Sequence, residues 1–452
     1  MAKESAASVL LLDGHSLPSL AFTRSLGRAG VRVVVAADSP HAPAAKSRYC
    51  AEFLLCPSPL RDAEGFRKWL FRTVSHQHFD LLVGATDQTV GLLEQWRDAL
   101  GAFVAVPLPP RAAFQTAWNN AATVRLAQSL GIPTPTTHFI TDWADLEELA
   151  IRQDRPLVIK PRTSIGCRDG IRYRMSVQYA FDGKMLRRKY QHVHRFSPWP
   201  LVKEYVPGTG VATFFLFHQG RVLARFQHRR IRETNPTGSG SCLRVSEAPD
   251  ARLLQESERM LRAIHWYGLV MAEYREAPDG TRYLMEINPR PWGSLQLAIE
   301  AGVDFPLLWY RAVTGQKVEE VSTWRVGVEC RYLADDLRHL ENVFYGPPPG
   351  WRLPYPRRLP TLVRFCKFWG SNLRYDDFAG GDWRPGLAEW RNYFGELSGR
   401  IRARLARHAS ALSPTRIEET AAECAAHPWK EMVDGMGFEP TASSLRTRRS
   451  PS

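Results

Sequence analysis

The stretch that most constrains this chain runs from Gly268 to Gly302, GLVMAEYREAPDGTRYLMEINPRPWGSLQLAIEAG. Two β-type runs flank Pro278-Asp279-Gly280-Thr281, and an Asp-Gly pair between such runs signals a tight hairpin. With Asp279 and Gly280 as the two central turn residues, Glu273 falls directly opposite Glu286. Opposed residues have Cβ atoms only about 4.5–5.5 Å apart, so two carboxylates there need a cation between them. Alternation puts Asn288 on the same face and Glu276 on the other, and an amide oxygen suits a hard divalent cation. The competing reading is a solvated hairpin with both glutamates in water. Against it, Glu286 lies in an apolar run (Tyr283, Leu284, Met285, Ile287), and Asn288-Pro289-Arg290-Pro291 brings an arginine beside the pair. Ser294 is placed to cap a helix ending at Gly302.

At 452 residues, 44% hydrophobic and 23% charged, the chain can form two or three ordinary globular domains. No apolar run is long enough to cross a membrane and the start lacks a signal-peptide stretch, so the expected location is cytoplasmic. Seven cysteines without a CxxC pair fit a reducing compartment and argue against disulfides or a structural zinc site. Cys50 and Cys56 read as buried or incidental. The net charge of +14 points to acidic partners. Basic residues are scattered among acids before the last quarter, which favours an anionic small-molecule site over nucleic acid.

In chain order, Val9 to Leu12, a helix from Pro18 to Ala29 and Val31 to Ala36 form a β-α-β unit. That order implies a doubly wound parallel sheet, with ligands beyond the C-terminal strand ends. GxGxxG is absent, so a dinucleotide site is not supported. Phe79 to Gly84 is another strand, and Asp87 just past it is either a helix N-cap or a site residue, the cap being favoured by the helix that follows. Pro-rich 106–110 marks a boundary. Leu157 to Pro161 is a strand ending at Lys160, followed by a loop from Arg162 to Gly170 that reads as a phosphate cradle or as a hairpin turn. Leu201 to Gly208, Ala212 to His218 and Arg221 to Arg232 are further β-type segments, the last two joined at Gln219-Gly220. His228, Arg230 and Arg232 share a face, with Arg229 on the other. Thr237 to Ser241 is a small-residue loop, and Ala251 to Ile264 an amphipathic helix leading into the hairpin.

These pieces, in this order, resemble the ATP-grasp superfamily and its carboxylate-amine ligases, the group of D-alanine ligase, biotin carboxylase and carbamoyl phosphate synthase. The resemblance rests on LVIKP with its glycine loop, LVKEYVPG, FQHRRIRE, and MAEY followed by MEINPR, over roughly 118–315. It implies an α/β and α+β fold: a Rossmann-like parallel domain at 1–112, a two-subdomain ATP-grasp unit at 113–315 and an extension at 316–410. A tail at 411–452 is expected to be disordered; its end, GFEPTASSLRTRRSPS, resembles tails of reading frames that run into an RNA gene.

Residue by residue, the resemblance implies that Lys160 contacts the nucleotide phosphates and that Ser164 to Gly170, with Gly166, closes over them. Lys203, Glu204 and Val206 form the adenine linker, and Arg230 reaches the terminal phosphate. Glu273, Glu286 and Asn288 bind Mg2+ or Mn2+, and Arg290 steadies the charged intermediate. The implied reaction is ATP-dependent joining of a carboxylate to an amine through an acyl phosphate, with small-molecule partners, no nucleic acid, and a homodimer as an allowed assembly. An arginine-rich pocket of Arg229, Arg232 and Arg290 would accept the acid, while Trp292 reads as core. Two positions depart from the family pattern: Asn120, where a basic residue is usual, and Gly210, where an acid often holds the ribose. Arg125 or Lys184 are the candidates to compensate. The rival reading is a degenerate ATP-grasp that senses nucleotide; after Gly315, Val326 to Tyr332 reads as a strand, Leu362 to Trp369 as an apolar and basic stretch, and Leu397 to Arg407 as a basic helix, more economically solvated than bound to a membrane or nucleic acid.

Overall fold

The computed structural model of the protein describes residues 7–411, so the tail expected at 411–452 lies, Ala411 apart, outside the described residues. The first layer contains β1 (Ser8–Leu11), α1 (Leu17–Arg28), β2 (Arg32–Ala37), β3 (Cys50–Leu55), α2 (Ala63–His76), β4 (Leu81–Val83) and α3 (Asp87–Leu100). Its strands are parallel, in the order β3-β2-β1-β4. Continuous apolar strands need cover on both faces, and they have it. Val9, Leu11, Val33 and Val35 pack with α1 residues Leu20, Phe22 and Leu26; Leu10, Leu12, Val34 and Ala36 pack with Phe66, Leu70 and Leu93 of α2 and α3. Asp13, held at φ 57, ends β1.

Two short helices, α4 (Arg111–Trp118) and α5 (Asn120–Ser129), lead to a second sheet. It is built from β5 (Thr137–Phe139), α6 (Trp143–Arg152), β6 (Leu157–Lys160), β7 (Ile165–Arg168), β8 (Ile171–Arg174), β9 (Gln178–Ala180), α7 (Gly183–His194) and β10 (Leu201–Glu204). The antiparallel order is β5-β10-β6-β9, with β7 and β8 as a separate hairpin. Ile159 and Val202 face α6 and α7. The register of Lys203 with Val158 and of Leu201 with Lys160 puts both lysines on the opposite face.

The third sheet is the largest. It draws on β11 (Thr209–His218), β12 (Arg221–Arg232), β13 (Leu243–Ser246), α8 (Ala251–Ala263), β14 (Gly268–Glu276), β15 (Arg282–Asn288), α9 (Leu295–Ala301), α10 (Phe305–Val313), β16 (Glu329–Arg331), α11 (Leu333–Tyr345), α12 (Arg358–Phe365) and β17 (Leu373–Tyr375). Seven strands run β15-β14-β11-β12-β13-β16-β17, so the segment after residue 315 supplies two strands of this sheet. One core continues from α1 through Leu297, Phe305 and Trp309 to Phe214 and Phe226. It fixes the first layer against the sheet that carries the hairpin. The basic helix expected at 397–407 lies within α13 (Arg384–Ala411). The described residues fall into two compact units, divided between Glu389 and Trp390; the site belongs to the first.

A buried arginine closes that first unit. Arg24 donates from Nε to Asp382 at 2.8 Å, from Nη1 to the Asp376 carbonyl at 2.5 Å, and from Nη2 to the Asp377 and Asp382 carbonyls at 2.9 Å. Ser47 Oγ donates to the same Asp382 carboxylate. Removing one partner of a buried, hydrogen-bonded pair leaves the other charge uncompensated, at a cost of about 3–5 kcal/mol. Arg24→Met is expected to lose about that much in denaturant unfolding; an unchanged midpoint would show that the network contributes nothing to stability.

Candidate functional site

The hairpin brings Glu273 opposite Glu286, but not by the two-residue turn that the spacing predicts. The loop has three residues, Pro278, Asp279 and Gly280. It is closed by Ala277 N donating to Thr281 O and Gly280 N to Ala277 O, each at 2.9 Å, with Gly280 at φ 83. This pairs Glu276 with Arg282 and Tyr274 with Leu284, a register that, carried on, would set Glu273 against Met285. A bulge between Glu273 and Tyr274 restores the pairing with Glu286. The two one-residue offsets cancel.

Each carboxylate then holds a cationic side chain from another strand. Lys160 Nζ, at the end of β6, lies 2.6 Å from Glu286 Oε2 and donates to the Met285 carbonyl at 3.1 Å. Arg230 Nη2, from β12, lies 2.7 Å from Glu273 Oε2. Burial alone would raise the Glu286 carboxyl, but the charge of Lys160 outweighs it and holds the group well below the usual carboxylate range. The cation that the paired glutamates call for is thus supplied twice, by protein. Glu276 faces the other way, toward Arg229 and Arg282.

Two carboxylates and an amide remain an oxygen set fit for Mg2+ or Mn2+. Asn288 gives Nδ2 to Glu286 Oε1 and takes Arg290 Nη2 on Oδ1, both at 3.1 Å; offering that oxygen to an ion between the carboxylates requires the amide to turn over. Among the described residues no group of three or more His, Cys, Asp or Glu is placed to hold a metal, so an ion here would rest on Glu273, Glu286 and Asn288.

Arg290 links this face to the first layer, pairing with Asp87 Oδ2 at 2.9 Å. Thr86, not Asp87, is the N-cap of α3, its side chain accepting from Gln88 N. The cap reading favoured for Asp87 is therefore displaced by one residue, and Asp87 turns to the site. Asp13 positions that turn: its Oδ2 accepts from Ala85 N and Thr86 N at 2.9 Å and from Thr89 Oγ1 at 2.5 Å. Arg290 Nε is buried without a hydrogen-bond partner.

The proposed acid pocket of Arg229, Arg232 and Arg290 does not assemble. Arg229 pairs with Glu247 and Glu276, Arg232 with Asp336, and Arg290 with Asp87. A bulge between Arg230 and Arg232 contributes to the separation. Ser294 sits at the N-cap position of α9 but makes no cap bond; its Oγ meets His228 Nε2 at 2.8 Å. Trp292 is core, with its ring centroid 4.5 Å from that of Phe214.

The loop after Lys160 is a hairpin turning at Asp169-Gly170, both with positive φ. Ser164 precedes β7 and takes Met175 N on its carbonyl. Gly166 is obligatory, since a Cβ there would lie 2.6 Å from the Phe196 carbonyl. Arg172 ties this hairpin to the first layer by donating to the Gln88 and Pro59 carbonyls. In the linker, Glu204 N bonds Thr136 O, Tyr205 N bonds Pro156 O, and the Glu204 side chain pairs with Arg155; Val206 follows before Pro207.

Both departures from the family pattern have structural roles. Asn120 Nδ2 donates to the Pro161 carbonyl at 2.9 Å, fixing the chain beyond Lys160. Gly210 makes room for Arg230, whose Cδ would lie 2.6 Å from a Cβ at that position. Arg125 stacks over Phe139 and Lys184 is exposed, so neither takes over at Asn120. Spaces open among these elements. One of about 430 Å³ lies between α3, α4 and the β7–β8 hairpin, lined by Gly91, Glu94, Arg111, Trp118, Gly166 and Arg172. Another, of about 330 Å³, lies beside Gly210, Arg230, Glu233, His339 and Arg364.

The resemblance gives Lys203 no role beyond the adenine linker, yet its side chain is the least satisfied group of the site. It is 3% exposed and its Nζ has no hydrogen-bond partner. Burial first, then the charge of Lys160, pushes its pKa from 10.5 down to about 7. A lysine within an apolar-looking strand, LVKEYV, is the only sequence signal for this.

Residues 196–335 match the family model described as ATP-grasp in the biosynthetic pathway with Ter operon. No curated protein matches the chain. Among solved structures it is similar to N5-carboxyaminoimidazole synthetase from Staphylococcus aureus complexed with ADP (17% identity, TM-score 0.56, 75% of this chain and 86% of that one). It is also similar to L-amino acid ligase from Bacillus licheniformis (20%, 0.53, 70% and 75%). A third is the biotin carboxylase domain of Hydrogenobacter thermophilus 2-oxoglutarate carboxylase, in complex with MgADP, ADP and bicarbonate (12%, 0.58, 72% and 74%). At these identities the likeness is one of fold, and the fold is the ATP-grasp fold expected from the motifs.

The unfolded chain keeps a proton on Lys203 up to its ordinary pKa, whereas the folded chain sheds it near pH 7, so this lysine lowers stability below pH 10 and most fully below pH 7. Lys203→Met is therefore expected to raise Tm at pH 7 by several degrees, with the gain shrinking as the pH approaches 10. A lower Tm at pH 7 would contradict the burial of an unpartnered amine.

Proposed function

We propose that this chain, an ATP-grasp protein by its fold, is a ligase that joins a carboxylate to an amine at the expense of ATP. The observation that carries the reading is the convergence of Lys160, Arg230 and Arg290 on Glu286, Glu273 and Asn288, from four different strands and the turn after β15. A structural ion pair needs one base and one acid. Three bases meeting two acids and an amide form a site that can exchange partners when a polyanion and its metal enter.

In the proposed reaction a substrate carboxylate oxygen attacks the γ-phosphorus of ATP, and the bond to ADP breaks. The amine then attacks the acyl carbon, loses a proton, and phosphate leaves. Phosphoryl transfer is mainly positioning and charge neutralisation. Lys160 and Arg230, released from their glutamates, would hold phosphate oxygens; Lys203, Glu204 and Val206 would line the base. Magnesium or manganese on Glu273, Glu286 and Asn288 supplies neutralisation of phosphate charge that side chains alone cannot match. Arg290, oriented by Asp87 and Asn288, would stabilise the oxyanion formed when the amine attacks. The β7–β8 hairpin is suited to excluding water, which would otherwise hydrolyse the acyl phosphate. The 430 Å³ space begins at Gly91, one helical turn along α3 from Asp87; it is the proposed place for the part of the substrate beyond its reacting group.

Pools of amino acids and other small carboxylates, incubated with ATP and magnesium, are expected to give ADP release that requires one acid and one amine together. ATP binding without release from any pool would favour the nucleotide sensor instead. Glu273→Gln and Glu286→Gln should each lower ADP formation at least about 100-fold while circular dichroism stays that of the native chain. Wild-type turnover in either would remove the metal assignment.

A further inference from the structure

Helix α12 is amphipathic, with its apolar side turned outward. Leu359, Leu362, Val363 and Cys366 are spaced i, i+3, i+4 and i+7, one stripe of a helix, and all are exposed. Leu359 is 70% exposed, Val363 65%, and Trp369, just past the helix, 83%. The opposite side is fixed. Thr361 is buried; the buried Arg331 donates to the Phe365 carbonyl at 2.7 Å and the Lys367 carbonyl at 3.0 Å, and its guanidinium lies over the Phe365 and Phe368 rings. Tyr375 Oη holds the Phe368 carbonyl at 2.6 Å. With its C-terminal end held in this way, the helix keeps its apolar stripe in water.

In the chain on either side of the stripe the charge is of one sign. Residues 342–375 contain no aspartate or glutamate, but do contain Arg352, Arg357, Arg358, Arg364, Lys367 and Arg374. Arg352 pairs with Asp182, and Arg374 lies near Glu300. For Arg357, Arg358, Arg364 and Lys367, no ion pair with an acid is found among the described residues. An exposed apolar stripe with a tryptophan at its end and unneutralised basic side chains beside it has the composition of a helix that lies in a membrane interface. The bases meet anionic headgroups while the leucines and valine enter the acyl boundary. Pairing of this face with a second copy of itself would set the same bases against each other.

We propose that α12 and Trp369 form a docking surface for an anionic lipid bilayer. The test is co-sedimentation of the full chain with phosphatidylcholine vesicles, with and without phosphatidylglycerol. The chain is expected to bind the phosphatidylglycerol vesicles, to be released by added salt, and to stay in the supernatant with phosphatidylcholine alone. Leu359→Glu with Val363→Glu should weaken binding at least about tenfold without changing the melting curve, and Arg358→Glu with Lys367→Glu should do the same. Ile151→Glu, at an exposed position on α6, should leave binding intact. Equal binding to both vesicles, or binding untouched by either double variant, would overturn the proposal. So would light scattering that shows a wild-type dimer made monomeric by Leu359→Glu with Val363→Glu, which would make the face a self-interface.

Discussion

Two carboxylates on facing strands repel each other, and much of the architecture around the hairpin is an answer to that repulsion. At about 5 Å and an effective dielectric of about 20, the unscreened term is roughly 3 kcal/mol. The fold meets it with Lys160 from the second sheet and Arg230 from the third. Because Lys160 reaches from β6 to β15, the same pairing that relieves the repulsion also joins two sheets at the place where a ligand would enter. The answer is reversible, since an arriving polyanion offers the two bases new partners and leaves the carboxylates free for a cation.

The position of the first layer follows from a second set of contacts. Asp13, in a left-handed conformation at the end of β1, gathers Ala85 N, Thr86 N and Thr89 Oγ1. That sets Thr86 as the cap of α3 and turns Asp87 toward Arg290. Arg172 adds a strap from the β7–β8 hairpin to the Gln88 carbonyl. A parallel sheet that holds no part of the carboxylate pair thereby orients the arginine beside it.

Much of this was legible in the sequence because hydrophobic alternation and turn residues act locally. The parallel first layer, the Gln219-Gly220 turn between β11 and β12, and the presence of a hairpin turning at Asp279-Gly280 all follow from such signals. What was not legible depends on long-range geometry. The three-residue loop and the compensating bulge cancel, so the register came out right from a wrong turn. Ser294 is spent on His228 rather than on its helix, and the arginines around Arg230 are dispersed by acids from distant segments, Asp336 and Glu247 among them. No local pattern marks Lys203 as unpartnered or Gly210 as the space that Arg230 needs.

The central claim is that Glu273 and Glu286, relieved of Lys160 and Arg230, hold a divalent ion together with nucleotide. Electron paramagnetic resonance of Mn2+ titrated into the protein with ADP reads this directly. A protein-bound manganese signal should appear only when ADP is present and vanish in the Glu273→Gln, Glu286→Gln double variant. Manganese that partitions as it does with ADP in buffer, or a signal that survives the double substitution, would contradict it.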